Sequence, residues 1–329
     1  MCLIFVLLVL FIFLAVNVSS PFLTAITMFF GIGFFSVINP LTDTISTDAT
    51  RDDKSKYSKI RATGTLGFVI ILLIFGFSGF PNENSNIFIF LAIFMTCFAC
   101  LLYTILVFKI ENGRRPSNIK EISFSNKIKQ IFDLSWCGKL FLRILLVIML
   151  LKFSNSIVKN LLSAYLIEDL QLGNSFTYFV ALGSLSELLL MLFLGKLLKK
   201  NKIEPWLMIM VSAFGLAVWL LIYYFFHSIL SLCMAQILHS LSFGASHIGT
   251  IAFISEYVKK EHTIMALGIY FAIGMGIPEM FESLFGGIII ELFGYSILFI
   301  SYAFVAVVAG AICFLSRKLF KSSSLQKVC

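Results

Sequence analysis

Apolar runs about as long as a bilayer is thick follow one another along this chain with short polar breaks between them, and no other feature constrains its fold so strongly. They lie near 2–17, 21–42, 62–80, 86–109, 141–166, 174–198, 204–226, 228–257, 264–292 and 295–317. About 20 residues of helix cover the hydrocarbon core of a membrane. Lipid offers no partner to backbone N–H and C=O groups, so runs of this kind span as helices. The expected class is an all-α polytopic membrane protein with about ten transmembrane helices. Charge supports this over a soluble domain. Only 13% of the residues are charged, where a soluble chain carries about 25%.

The polar breaks fall into two alternating sets. One set holds Arg51, Lys54, Lys56 and Lys59, then Arg114, Arg115, Lys120, Lys127 and Lys129. It continues with Lys196, Lys199, Lys200 and Lys202, then Lys259 and Lys260, then Arg317, Lys318, Lys321 and Lys327. The other set, at 17–20, 81–86, 167–174, 226–228 and 293–295, has no Lys or Arg. Cytoplasmic loops carry the excess of Lys and Arg, so both termini are expected in the cytoplasm of a protein set in the plasma (inner) membrane. The net charge of +8 is thus a topology signal, and its partner is membrane lipid rather than nucleic acid.

Enzymatic chemistry finds little to stand on. Cys97 and Cys100 form a CxxC, but on an all-apolar helix, where packing is the expected role. No nucleophile–base set, metal cluster or nucleotide motif is present. Gly64 and Gly67 have no strand before them, so close helix approach is expected there rather than a phosphate cradle. The chain is expected not to be an enzyme and to need no cofactor or metal.

The most polar stretch, Asn39–Phe68, joins two apolar runs and puts Asp43 at one helix mouth and Arg61 at the other. It carries Pro40, Leu41 and Asp43, then Tyr57, Arg61, Gly64, Thr65, Gly67 and Phe68. This pattern resembles the fourth-to-fifth helix region of the major facilitator superfamily, in the branch that holds the lactose permease-like and 3-phenylpropionate permeases. Gly183–Glu187 resembles that branch's eighth helix, with its essential carboxylate. The segment 236–247, with His239 and His247, is similar to its tenth. The resemblance implies a helix bundle with a central cavity, and makes Asp43 and Arg61 substrate-facing. It also implies that two helices precede the four read before the central loop; a ten-helix protein is the alternative. Departures bear on proton coupling. Ser242 stands where the lactose permease-like pattern has a glutamate, and Trp219 where it has an arginine. The seventh helix carries Lys152 and Lys159, the eleventh Glu279 and Glu282.

Ionisable groups at bilayer depth cost about 2.5–3.5 kcal/mol and mark pathways. Lys152 and Glu187 each lie roughly 11–13 residues into their helices from opposite sides, near the midplane at about 1.5 Å per residue. Glu187 is the expected proton carrier, since burial disfavours a charged carboxylate. A structural pairing with Lys152 or with a hydroxyl is the alternative. His239 is expected to relay protons or bind solute. His247, Lys159, Glu279 and Glu282 are expected to be structural, the two glutamates pairing with Lys159.

The division expected is 1–109 as the N-terminal half, with helices equivalent to the third to sixth. A cytoplasmic central loop follows at 110–139, then a six-helix C-terminal half at 140–318 and a cytoplasmic tail at 319–329. The function expected is secondary active transport of a small organic solute, as a monomeric proton symporter driven by the proton gradient. An aromatic or other carboxylate is favoured, bound by Asp43, Arg61, Lys152 and His239. A sugar or nucleoside symporter is one alternative; a non-transporting sensor or inactive truncated relative is the other.

Overall fold

The computed structural model describes residues 42–43, 46, 50, 54–78, 138–172, 175–200, 202–226, 228–259 and 262–320. The runs at 2–17 and 86–109, most of 21–42, the Cys97–Cys100 pair and the central loop up to 137 lie outside the described residues. The chain divides into two compact units, 1–45 with 81–133, and 46–80 with 134–329. Nearly all described residues belong to the second.

Apart from short turns and connections, the described residues are helical. In order they form α1 (Lys54–Ser78), α2 (Lys139–Ala164), α3 (Phe176–Lys199), α4 (Pro205–Phe225), α5 (Ile229–Tyr257), α6 (Thr263–Ile269) and α7 (Ile277–Leu315). π-Helical segments follow α2 at Tyr165–Asp169 and α6 at Tyr270–Gly276. Five described segments are long and apolar enough to cross a membrane: Lys56–Ile74, Phe176–Lys199, Pro205–Phe225, Ile229–Tyr257 and Phe285–Leu315.

Local signals set several boundaries. Pro205 opens α4, where its missing N–H is harmless. Ser228 caps α5, its hydroxyl accepting from the Ser231 N–H. α7 is interrupted at Gly294, with φ +78°, a conformation that glycine adopts without a Cβ penalty. There the chain doubles back. Phe285 and Tyr302 would be about 25 Å apart on a straight helix, yet Phe153 of α2 touches both, with ring centroids 6.3 and 5.0 Å away. The sequence break at 293–295 therefore falls where the structure turns.

The start of α1 corrects the sequence reading. The helix expected from residue 62 begins at Lys54. Lys54, Lys56 and Lys59 suggest a loop by charge, but lysine is a good helix former and the basic turns continue the apolar helix. Arg61 consequently sits about two turns inside α1 rather than at its mouth.

Packing runs in sequence from α1 to α3, α5, α4, α7 and α2. Side chains turned away from these seams are apolar and exposed, among them Phe68, Ile74 and Phe77 on α1 and Leu189 and Phe193 on α3. On a membrane helix this is the lipid face, and the buried stripe is the one that holds polar groups.

Candidate functional site

α1 presents Tyr57, Arg61 and Thr65 at four-residue spacing, one above the other on one face. α3 presents a buried stripe of Gly183, Ser184, Glu187, Met191, Leu194 and Leu198. Where these faces meet, Glu187 is 7% exposed. The Arg61 and Lys152 cations act on its carboxylate, and the Thr65 hydroxyl is its hydrogen-bond partner. An isolated buried carboxylate would be very costly, and two cations with a hydroxyl compensate it. Arg61 is half-buried, and its Nε is enclosed without a hydrogen-bond partner among the described residues.

Lys152 reaches this cluster from the middle of α2 and is 2% exposed. Its Nζ lies 4.4 Å from the centre of the Phe243 ring on α5, where the π face stabilises a cation as solvent would. The same charge acts on His239, so Lys152 influences both the glutamate and the histidine. His239 is half-buried, and its ring lies against the Trp219 indole, with centroids 4.7 Å apart. The Ser242 hydroxyl donates to the His239 carbonyl at 2.8 Å, and lies 3.3 Å from Asn155 Oδ1 and 3.4 Å from His239 Nδ1. It thus ties α2 to α5 beside the imidazole.

Close backbone approach makes the seam possible. A Cβ on Gly183 would lie 2.4 Å from Gln236 Oε1, so glycine lets α3 and α5 meet. Gln236 Nε2 then donates to Tyr223 Oη at 2.8 Å. A Cβ on Gly244 would lie 3.3 Å from Glu187 Cγ, which puts the carboxylate stem directly on the α5 backbone.

The other sequence candidates fall elsewhere. Asp43 is helical and buried and belongs to the first compact unit. Glu282 is fully buried on the first arm of α7, and its charge acts on the Tyr302 hydroxyl of the second arm. Glu279, one turn away, is half-buried. α7 packs on α2 as the pairing with Lys159 requires, but the Lys159 side chain lies outside the described residues. His247 is buried on α5 between two tyrosines, Tyr57 and Tyr270. The sequence reading missed Thr65, Asn155, Phe243 and Tyr270 as neighbours of these groups. Thr65 was detectable, because it shares its helix face with Arg61. The others meet the site from separate helices, which no local pattern encodes.

An all-helical polytopic bundle that gathers cations, a carboxylate and a histidine in its interior defines a class: integral, multi-pass membrane transporters. Residues 1–301 match the model of the MFS_1 like family, and the chain belongs to that family of major facilitator transporters. It is therefore a transporter rather than an enzyme. A crystal structure of the nucleoside transporter NupG is similar, with TM-score 0.63 and 15% identity over 96% of this chain and 82% of that one. The structure of a point mutant of NupG is similar with TM-score 0.64 and 15% identity, over 95% and 82%. At that identity the likeness is one of fold. No match is found among curated proteins.

Proposed function

We propose that this protein is a proton symporter that moves a small organic carboxylate, aromatic or aliphatic, by alternating access. The observation that carries this reading is the buried Arg61 Nε with no hydrogen-bond partner among the described residues. It stands beside a carboxylate shared by two cations. A buried donor left unpaired costs about 1–3 kcal/mol, and a guanidinium is shaped to take a carboxylate on two N–H groups. When Glu187 is ionised it competes for Arg61 and Lys152. When Glu187 takes a proton, both cations become available to the solute carboxylate. Loss of that proton restores the competition and expels the solute. One proton thus accompanies one carboxylate, and the site keeps the same net charge in both states, two cations against one carboxylate.

In this reading Arg61, Lys152, His239 and Asp43 bind solute, and Glu187 with His239 couples the proton. Lys159, Glu279, Glu282 and His247 hold charge and helix contacts inside the bundle. The divisions are two helical halves, 1–109 and 140–318, joined by a cytoplasmic loop, with a short tail after 318. The protein works as a monomer in the plasma (inner) membrane with both termini in the cytoplasm. It draws on the proton gradient and uses no cofactor.

Nucleoside symport is the second reading, favoured by the fold shared with a nucleoside transporter. Asn155, Ser242, His239 and Gln236 along the α2–α5 seam suit hydroxyls and base edges. Uptake into proteoliposomes under an imposed proton gradient decides between the two. Labelled 3-phenylpropionate should accumulate and alkalinise the outside, while uridine should not. Accumulation of uridine alone would overturn the carboxylate reading in favour of the nucleoside one. Binding without uptake of any solute would return the protein to the sensors.

A further inference from the structure

Among the described residues, His247 is a buried titratable group that this transport cycle does not use. His247 is 1% exposed, on α5. Its Nε2 lies 3.0 Å from Tyr57 Oη on α1, and its Nδ1 lies 3.0 Å from Tyr270 Oη, the first residue of the π-helical segment. Both tyrosines are buried as well. The Phe243 ring stacks on the imidazole, with centroids 5.9 Å apart and planes 5° from parallel, and the Phe271 ring lies 6.4 Å away. The imidazole plane is thereby held, with a phenol at each nitrogen.

The trio also lies along the polar track of Arg61, Glu187 and Lys152. Tyr57 is one turn from Arg61 on the same face of α1, toward the basic end of that helix. His247 is one turn from Gly244, whose backbone the Glu187 stem touches. Among the described residues the charged groups of this track are Arg61 on α1, Glu187 on α3 and Lys152 on α2, the last on the Phe243 ring that covers the imidazole.

We propose that Tyr57, His247 and Tyr270 form a proton relay between Glu187 and the lysine-rich end of α1. A neutral imidazole donates through one nitrogen and accepts through the other, and a phenol does both through one oxygen. A proton given up by the Glu187 carboxyl reaches the trio through a water molecule, within the reach of proton transfer. Tyr270 accepts it and passes its own hydroxyl proton to Nδ1. Nε2 then gives its proton to Tyr57, whose hydroxyl proton leaves toward Lys56 and Lys59. One proton enters, one leaves, and Glu187 is left as a carboxylate. The relay rests on the symport reading above.

The test uses the whole protein in proteoliposomes with labelled 3-phenylpropionate as the probe. Two rates are measured: solute-linked proton movement with a trapped pH dye, and exchange of internal for external solute, which needs no net proton release. His247→Gln keeps one donor and one acceptor but cannot hand a proton across. It should lower proton movement at least tenfold and leave exchange within twofold of the parent protein. A parallel fall of both rates would make the trio a structural pin, and no change in either would remove it from the pathway. If His247→Gln does not assemble, Tyr57→Phe and Tyr270→Phe, each lacking one hydroxyl, must show the same split. A parent protein that exchanges solute without moving protons defeats the symport reading and the relay together. A coupled parent with an unaffected His247→Gln defeats the relay alone.

Discussion

Two seams of this bundle are built from opposite materials. Where α3 meets α1 and α5, the groups are polar: Glu187 and Gln236 are buried, and Arg61, Thr65 and Ser186 half-buried. Glycines bring the backbones close there. Where α4 meets α7, the buried groups are aromatic and small. Tyr223 stacks on Phe299 with centroids 5.4 Å apart, and Tyr165 stands edge-on to both. Ala303, Ala306 and Ala309 lie beneath. Helices in lipid gain nothing from hiding apolar surface from water, so association rests on close packing. The aromatic seam does that directly. The polar seam gives up part of it to hold charges, and charges at that depth persist where a pathway needs them. In the proposed function, stability lies on one side of this contrast and transport on the other.

The comparison can be broken from either side. The largest effect is expected from Glu187→Gln, which should abolish proton-driven accumulation, about 100-fold or more, while solute exchange survives. Accumulation at the parent rate would remove Glu187 from coupling and leave the polar seam a structural feature. On the aromatic side, Gly310→Val should cost about 1–3 kcal/mol by overpacking, because even a Cβ there would lie 2.9 Å from the Phe214 ring. A lowered unfolding temperature with unchanged affinity for 3-phenylpropionate is the expected outcome. A changed affinity would show that the two seams are not separate in role.

Smaller effects sharpen the division. Arg61→Lys keeps the charge and loses the planar fork, and should weaken carboxylate binding about tenfold, measured by competition against labelled solute. Unchanged affinity would exclude the two-point contact. Tyr223→Phe should be nearly silent. It removes the hydroxyl that accepts from Gln236, and hydrogen bonds between membrane helices average about 0.6 kcal/mol. Denaturant titration in detergent should resolve that small loss with uptake intact; a transport defect would extend the functional region across α4.

Much of the architecture was legible along the chain. The runs read at 204–226 and 228–257 match α4 and α5 to within a residue or two, because apolar length alone specifies a membrane helix. The break at 293–295 was legible because a glycine stands where the chain must turn. The π-helical segment at Tyr270–Gly276 was not. Gly274 within it lies against Leu145 and Ile148 of α2, a contact between distant residues. The early start of α1 was missed for a different reason. Charge marks where a helix leaves the lipid, not where its hydrogen bonding ends.

The candidate site shows the same division. Glu187, Lys152 and His239 were visible one at a time, since an ionisable residue inside an apolar run stands out against its neighbours, and Arg61 was visible through the motif around it. Their grouping was not visible. Helix depth points to Lys152 as the charged partner of Glu187 and leaves a hydroxyl open, whereas the structure adds Arg61 and identifies the hydroxyl as that of Thr65. His247 has the sequence setting of a packing residue and stands between two phenols.

The sequence by itself determined that this chain spans a membrane as helices, and roughly where each helix runs. Those properties follow from the local cost of placing residues and backbone in lipid. Tertiary structure alone decided which charges share a seam, which glycines admit a neighbour and which histidine lies between hydroxyls. Helix faces that meet in space are far apart in the chain, and side-chain fit across them has no local signature.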